Sequence, residues 1–366
     1  MLKIPAIERM QRQQHGSMTV VPLKAHFPGQ ANYLLGSEAM TKGLVHVQEV
    51  NHQGSVSTLH VENVSPSFVL FIDGDQLIGA KQNRVSNTTV LLAPQSSSTI
   101  PVSCVEQGRW GYKSAQFQPS PEAAPPSIRK ILRKSTMDSI RENGEHEADQ
   151  GAVWNEISRK QQCLSAHSET QAMSDTYQHV EQELNGYQSN LKYTPGANGF
   201  LVAIGSRVVG LELFDSAQIC EQIWDRVVRG FSLDAVEFKK QMAELRDQDV
   251  EEAVGRFRFA SWQQVPAVAA GETYRVEIGS SSADETPWHY ARNGELLGPV
   301  SIEVIRQMLA QGSIDMSTSV WTPGMPEWSP AAMVPQLGFP PQVDDSFMAS
   351  ALALDGQLVH GSAILN

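Results

Sequence analysis

The side chains best equipped for chemistry fall in two short strings. Lys81, Gln82, Asn83, Arg84 and Asn87 make up the first, and Ser103, Cys104, Glu106 and Arg109 the second. Lys81, Arg84 and Arg109 are cations able to cradle an anion, with Asn83, Asn87 and Ser103 as neutral donors. Glu106 is a candidate general base. Cys104 becomes a candidate nucleophile if those cations lower its thiol pKa. Each residue also has a plainer role. Glu106 with Arg84 or Arg109 makes a structural ion pair, and Asn83 and Asn87 bond turn backbone. A cysteine in the run Val102–Val105 is a small buried hydrophobe.

Other chemistries leave no trace. The histidines show no HxH, HxxxH or HxxEH spacing, so no metal centre is expected, and no cofactor. GxGxxG, GxxxxGK and GxSxG strings are absent. A net charge of −12 gives no basic face for nucleic acid. Three scattered cysteines, Cys104, Cys163 and Cys220, fit a reducing cytoplasm rather than a disulfide framework. The first residues lack the apolar core of a signal peptide, and no apolar run is long enough to span a bilayer. A cytoplasmic protein without membrane contact is expected.

The elements that must position the two strings alternate short apolar runs with turns. Runs at 19–21, 44–50, 56–61, 68–72, 77–80, 88–92 and 99–105 are separated by proline, glycine and serine. That even spacing predicts an antiparallel sandwich or barrel. Ile72–Leu77, with Asp73-Gly74-Asp75 inside it, reads as the clearest hairpin. Residues 115–127 are proline-rich and read as a break in the strands. Met173, Tyr177, Val180, Leu184, Tyr187 and Leu191 then recur at helical spacing and predict one helix with a core-facing stripe. Gly199–Phe214 reads as a second hairpin, and Asp215-Ser216 caps a following helix with Ile219, Ile223, Val227 and Phe231 inward. Glu237–Glu252 reads as a charged surface helix and Thr273–Ile278 as a strand.

Residues 288–330 carry several anchors in order: Trp288 and Tyr290, the turn Asn293-Gly294, Gly298-Pro299 opening a helix over 302–311, Val320-Trp321, and Gly324 to Trp328. This stretch resembles the bacterial GYF-type domain, without the full Gly-Tyr-Phe element of eukaryotic members. The resemblance implies a small α+β fold that offers an aromatic shelf to proline-containing peptides. Such peptides are already ordered as polyproline II, so docking them costs little entropy. Tyr290, Trp321 and Trp328 are the shelf candidates, with Trp288 assigned to the core. Filling a small core is the alternative role for all four rings. Residues 284–338 hold two arginines against six carboxylates, so a ligand with basic residues beside its prolines is expected.

The strings Gly79-Ala80-Lys81-Gln82-Asn83-Arg84 and Pro101 to Trp110, with Val153-Trp154 and Gly199–Phe214, resemble an uncharacterised bacterial family called ARPP. That family is named for its genomic association with ADP-ribosylglycohydrolases and rhodanese-like phosphatases, and it brings no established activity. Residues 349–366 are too apolar for a free tail and read as a hairpin around Asp355-Gly356 that must join a sheet. The expected organisation is an N-terminal extension over 1–17 and a larger α+β domain over 18–279 plus 346–366. A GYF-like domain over 286–338 is inserted between linkers 279–285 and 339–346. The expected function is a non-catalytic interaction protein that binds a proline-containing peptide or protein. An enzyme or binding protein for a phosphorylated or ADP-ribosylated anion at Lys81, Arg84, Glu106 and Arg109 is the alternative.

Overall fold

The computed structural model describes residues 2–239, 244–276, 287–292, 295–300, 302–310, 313–323, 325, 327–331, 334, 337 and 347–365. Alternation decides the first half of the chain. Along Val45–Glu49 and Thr58–Asn63 every second side chain is buried, and the two strands pair antiparallel. They form one side of a six-stranded sheet that continues through Ser96–Cys104, Arg84–Ser86 and Asp75–Gly79 to Phe117–Ala123. A three-stranded sheet of Val90–Leu92, Phe68–Phe71 and Tyr33–Leu35 lies beside a short helix α1, Gly36–Thr41. Val47, Leu59, Val61, Val69, Phe71, Ile100 and Phe117 fill the core between them.

Two expectations fail here, for physical reasons. A tight turn does form at Asp73-Gly74, with the Asp75 amide donating to the Ile72 carbonyl at 3.1 Å. Its two flanking strands, however, belong to different sheets, so it is a corner and not a hairpin. The proline-rich stretch is no break: Phe117–Ala123 is an edge strand with a register shift between Pro119 and Ala123. An edge tolerates proline because one side of the strand needs no donors.

The second half builds a nine-stranded sheet. Its order is Ile7–Arg9, Met18–Ala25, Gly199–Ile204, Arg207–Phe214, Gln357–Leu365, Phe347–Leu354, Glu272–Val276, Trp262–Val265, with Gln13–His15 also pairing to Met18–Ala25. Part of the stretch read as an N-terminal extension therefore belongs to this sheet. Helices α2 (Pro126–Asn143), α3 (Gln150–Leu164), α4 (Met173–His179), α5 (Glu181–Asn190) and α6 (Ala217–Glu237) share a core with one face. Ser216 caps α6 by accepting from the Ile219 amide. Helix α7 (Asp247–Arg258) packs with the opposite face.

The single helix expected over 173–191 is divided at Val180, whose φ of −107° and ψ of 23° end α4 and start α5. All six stripe residues are still buried in one core, because a one-residue kink leaves the stripe on the same side. Nor is 237–252 one surface helix. Glu237 ends α6, residues 240–243 lie outside the described ones, and α7 buries Val250, Ala253, Val254 and Phe257.

Phe347–Leu354 and Gln357–Leu365 pair antiparallel around Asp355 and Gly356, with φ of 52° and 74°. This terminal hairpin lies in the middle of the large sheet, between Arg207–Phe214 and Glu272–Val276. Trp288–Arg292, Glu295–Val300, Ser319–Trp321 and Ser329–Pro330 make a separate four-stranded sheet, accompanied by helix α8 (Ile302–Ala310). Gly298 and Pro299 sit inside the second of these strands rather than opening the helix. The expected linkers 279–285 and 339–346 lie outside the described residues. The architecture is α+β, with antiparallel sheets, packed helices and a small second module.

Candidate functional site

Pairing of Val102–Cys104 with Arg84–Ser86 brings the two polar strings side by side. Arg109 is the hub. Its Nε and Nη2 donate to the Glu106 carboxylate at 2.8 and 2.6 Å. Nη1 reaches the carbonyls of Ala80 and Gly111, and Nη2 also reaches Gly79 O and Asn83 Oδ1. Glu106 receives further bonds from the Asn83 amide at 3.1 Å and the Thr170 hydroxyl at 3.1 Å. Burial would raise the Glu106 carboxyl, but the bonds from Arg109, Asn83 and Thr170 together hold it below the usual range. A carboxylate bonded this fully is a weak proton acceptor.

The remaining candidates are also engaged. Lys81 Nζ donates to Gln53 O at 2.5 Å and lies 5.3 and 5.1 Å from the ring centres of Trp110 and Tyr112. Arg84 is fully buried, bonds Gln82 and Ser55, and faces Glu49 at 3.7 Å. Gln150 clamps the backbone of Cys104 from both sides, at 2.7 and 2.8 Å. Burial outweighs the pull of Arg84 and pushes the Cys104 thiol up to about 11. Ser103 donates to Asn87, and Asn87 to the His146 carbonyl. That pair shares no hydrogen bond with Glu106 or Arg109. Asn83, Glu106 and Arg109 open on a cleft of about 700 Å³, which Lys113, Glu169 and Asp175 also line. Its lining mixes three carboxylates with Arg109, Lys113 and two histidines, His167 and His179, rather than presenting a cationic cradle. Glu49 and Thr170 escaped the sequence reading because they come from segments with no motif of their own.

In the small module Trp321 ends a strand, the Met325 amide bonds the Thr322 carbonyl, and Ser329–Pro330 pairs alongside that strand. That pairing stacks Trp328 on Trp321, with ring centres 6.4 Å apart and planes 29° from parallel. Trp321 Nε1 is fixed by Met325 O at 3.1 Å, and Trp328 remains 37% exposed. Tyr290 and Trp288 instead pack into the module's core with Ile302, Ile305, Val320 and Leu337.

A second polar constellation, buried in the large sheet, was not singled out from the sequence at all. Register places Glu212, Ser362, Ser350 and Arg275 in one row across four strands of the large sheet. Helix α2 lays Arg129 and Arg133, one turn apart, over this row. Both bond Asp73 at the sheet corner, and Arg129 also bonds Glu212 at 2.5 Å. His360 Nε2 meets Glu212 at 2.9 Å, and Arg133 reaches Met348 O, Ser362 O and Ser362 Oγ. Burial opposes ionisation of Asp73, but Arg129 and Arg133 hold it well below the usual carboxylate range. The sequence signal was a lone charge inside an apolar run, as at Glu212 between Leu211 and Leu213.

A mixed α+β module with an apolar-stripe helical layer, followed by a small aromatic module, is the class that fold and site define. The chain belongs to the family described as ARG and Rhodanese-Phosphatase-superfamily-associated Protein domain (ARPP-1), which it matches over residues 6–296. GYF domain 2 matches residues 288–337. No curated protein and no solved structure matches the chain. The terminal hairpin lies beyond both matched stretches, yet it pairs within the sheet of the first.

Proposed function

We propose that this is a non-catalytic interaction protein of the cytoplasm whose small module docks proline-containing peptides on Trp321 and Trp328. The carrying observation is the stacked pair itself. One ring is pinned through its indole nitrogen and the other is more than a third exposed. A pre-formed aromatic surface and a pre-ordered polyproline II ligand together lose little entropy on binding. The acidic balance of residues 284–338 favours ligands with arginine or lysine beside the prolines. Among the described residues no helix is long and apolar enough to cross a membrane.

The larger module acts in this reading as the scaffold, with the small one inserted between Glu272–Val276 and Phe347–Leu354. An anion-processing role at Lys81, Arg84, Glu106 and Arg109 is less well supported. The candidate base is saturated with donors, and the candidate thiol is protonated at neutral pH. The test is titration of the full chain with an arginine-flanked polyproline peptide, followed by calorimetry. Trp328→Ala should weaken binding at least tenfold, the loss of about 1.4 kcal/mol or more. Equal affinity of the variant and the parent would remove the shelf from the reading.

A further inference from the structure

In the buried layer beneath α2 the cations outnumber the acids. Asp73 bonds Arg129 and Arg133, and Glu212 bonds Arg129 and His360. The neighbouring pair Asp75–Arg226 is one to one. Arg275 adds a third guanidinium to the layer. It is 3% exposed, close enough to Arg133 to be repelled, and among the described residues has only the already doubly bonded Asp73 as a nearby acid. Burial, then Arg133, push its pKa down to about 10.

Its hydrogen bonding is equally incomplete. Nη2 donates to the Thr88 hydroxyl at 2.5 Å, while Nε is buried without a partner among the described residues. Thr88 is 0% exposed, and having accepted from Arg275 it still has its own proton to give. The residue across the register is Ser350, a neutral hydroxyl whose oxygen lies 3.4 Å from that of Ser362. Strand alternation turns Glu272 to the opposite face, where Tyr274 and Val276 join the other core. His146 is kept neutral by burial and by Arg275, so it adds no charge. An uncompensated buried guanidinium costs several kcal/mol, a cost that proteins ordinarily remove with a counter-charge.

We propose that a small inorganic anion of halide size binds against the Nε edge of Arg275 and the hydroxyl of Thr88. His360 aside, four guanidiniums (Arg129, Arg133, Arg226 and Arg275) stand against three carboxylates (Asp73, Asp75 and Glu212), a difference that one negative charge would balance. The burial of Arg275 and Thr88 favours a small inorganic anion over a larger, organic one. The anion would tie Glu272–Val276, the strand from which the chain departs toward the small module, to the 87–89 loop that joins the six-stranded and three-stranded sheets.

The full chain is melted in chloride or bromide titrated against gluconate at constant ionic strength. A saturable rise of a few degrees is expected with either halide, and none with gluconate or phosphate. Crystals soaked in bromide should show an anomalous peak in contact with Arg275 Nε. Arg275→Gln should abolish the halide response. If that variant does not fold, the bromide peak in the parent protein decides. A melting temperature indifferent to halide, a response equal for phosphate, or a plain water at Nε would each overturn the proposal.

Discussion

Replacing Arg109 by alanine tests whether the polar cluster is architecture. The side chain makes six hydrogen bonds, two of them to Glu106 and the rest to three carbonyls and Asn83. Its loss leaves Glu106, 6% exposed, with only the Asn83 amide and the Thr170 hydroxyl. Breaking a buried pair by removing one partner costs about 3–5 kcal/mol. Arg109 itself is 16% exposed through its side chain, so water reaches the gap and the low end, ~3 kcal/mol, applies. The pH dependence has a fixed sign. Glu106 is lowered in the folded protein, so its contribution is present above the unfolded value of about 4.3 and is lost as pH falls through the folded one. The penalty of Arg109→Ala should therefore be full at pH 7 and shrink below about pH 4. Urea unfolding at both pH values, with Glu106→Gln and the double variant to close a cycle, measures it. A penalty under about 1 kcal/mol at pH 7 would mean the pair contributes no more than a surface ion pair. Loss of an activity with stability unchanged would equally defeat the argument.

Three further outcomes follow from other parts of the molecule. A thiol reagent at pH 7.5 should modify exposed Cys163 and leave Cys104, pushed up to about 11, unreacted in the native protein; fast labelling of Cys104 by mass spectrometry would contradict this. Gly230→Ala should lower the melting temperature although alanine is the better helix former by about 1 kcal/mol, because its Cβ would sit 2.7 Å from the Ala123 carbonyl oxygen. Deleting 280–345 across a short Gly/Ser bridge should leave a folded, soluble protein, whereas ending the chain at 345 should aggregate it. Truncation strips Arg133 of Ser362 and Met348 and Glu212 of His360. Equal solubility of the truncated and intact chains would rule out the inserted arrangement.

How far the sequence could be read depended on the range of the interaction. Local chemistry was legible: the turn at Asp355-Gly356, the cap at Ser216, and the stripe from Met173 to Leu191. Partner choice was not. The turn at Asp73-Gly74 reads the same whether its strands pair with each other or part into two sheets. At this corner Asp73 is clasped by Arg129 and Arg133, far along the chain. Charged residues in strands and helices read as solvent-facing by default, so Glu212, Arg275 and the α2 arginines went unnoticed. Their burial rests on partners that local patterning does not connect, such as Glu212 with His360. The two site strings were visible as composition, and the saturation of their donors became visible only with geometry.

The order of strands in the large sheet also sets a timetable. Arg207–Phe214 is synthesised long before Gln357–Leu365, the strand that hydrogen-bonds its open side. Glu272–Val276 attaches through Phe347–Leu354, so it too must wait. At roughly 5–20 residues per second, that bare side waits about 7–30 s for its partner strand to be made. An unpaired β-edge is a template for pairing with other chains. Meanwhile the whole small module has been made, with its own core and its own sheet. Its sequence is thus complete before the strands that close the large sheet exist.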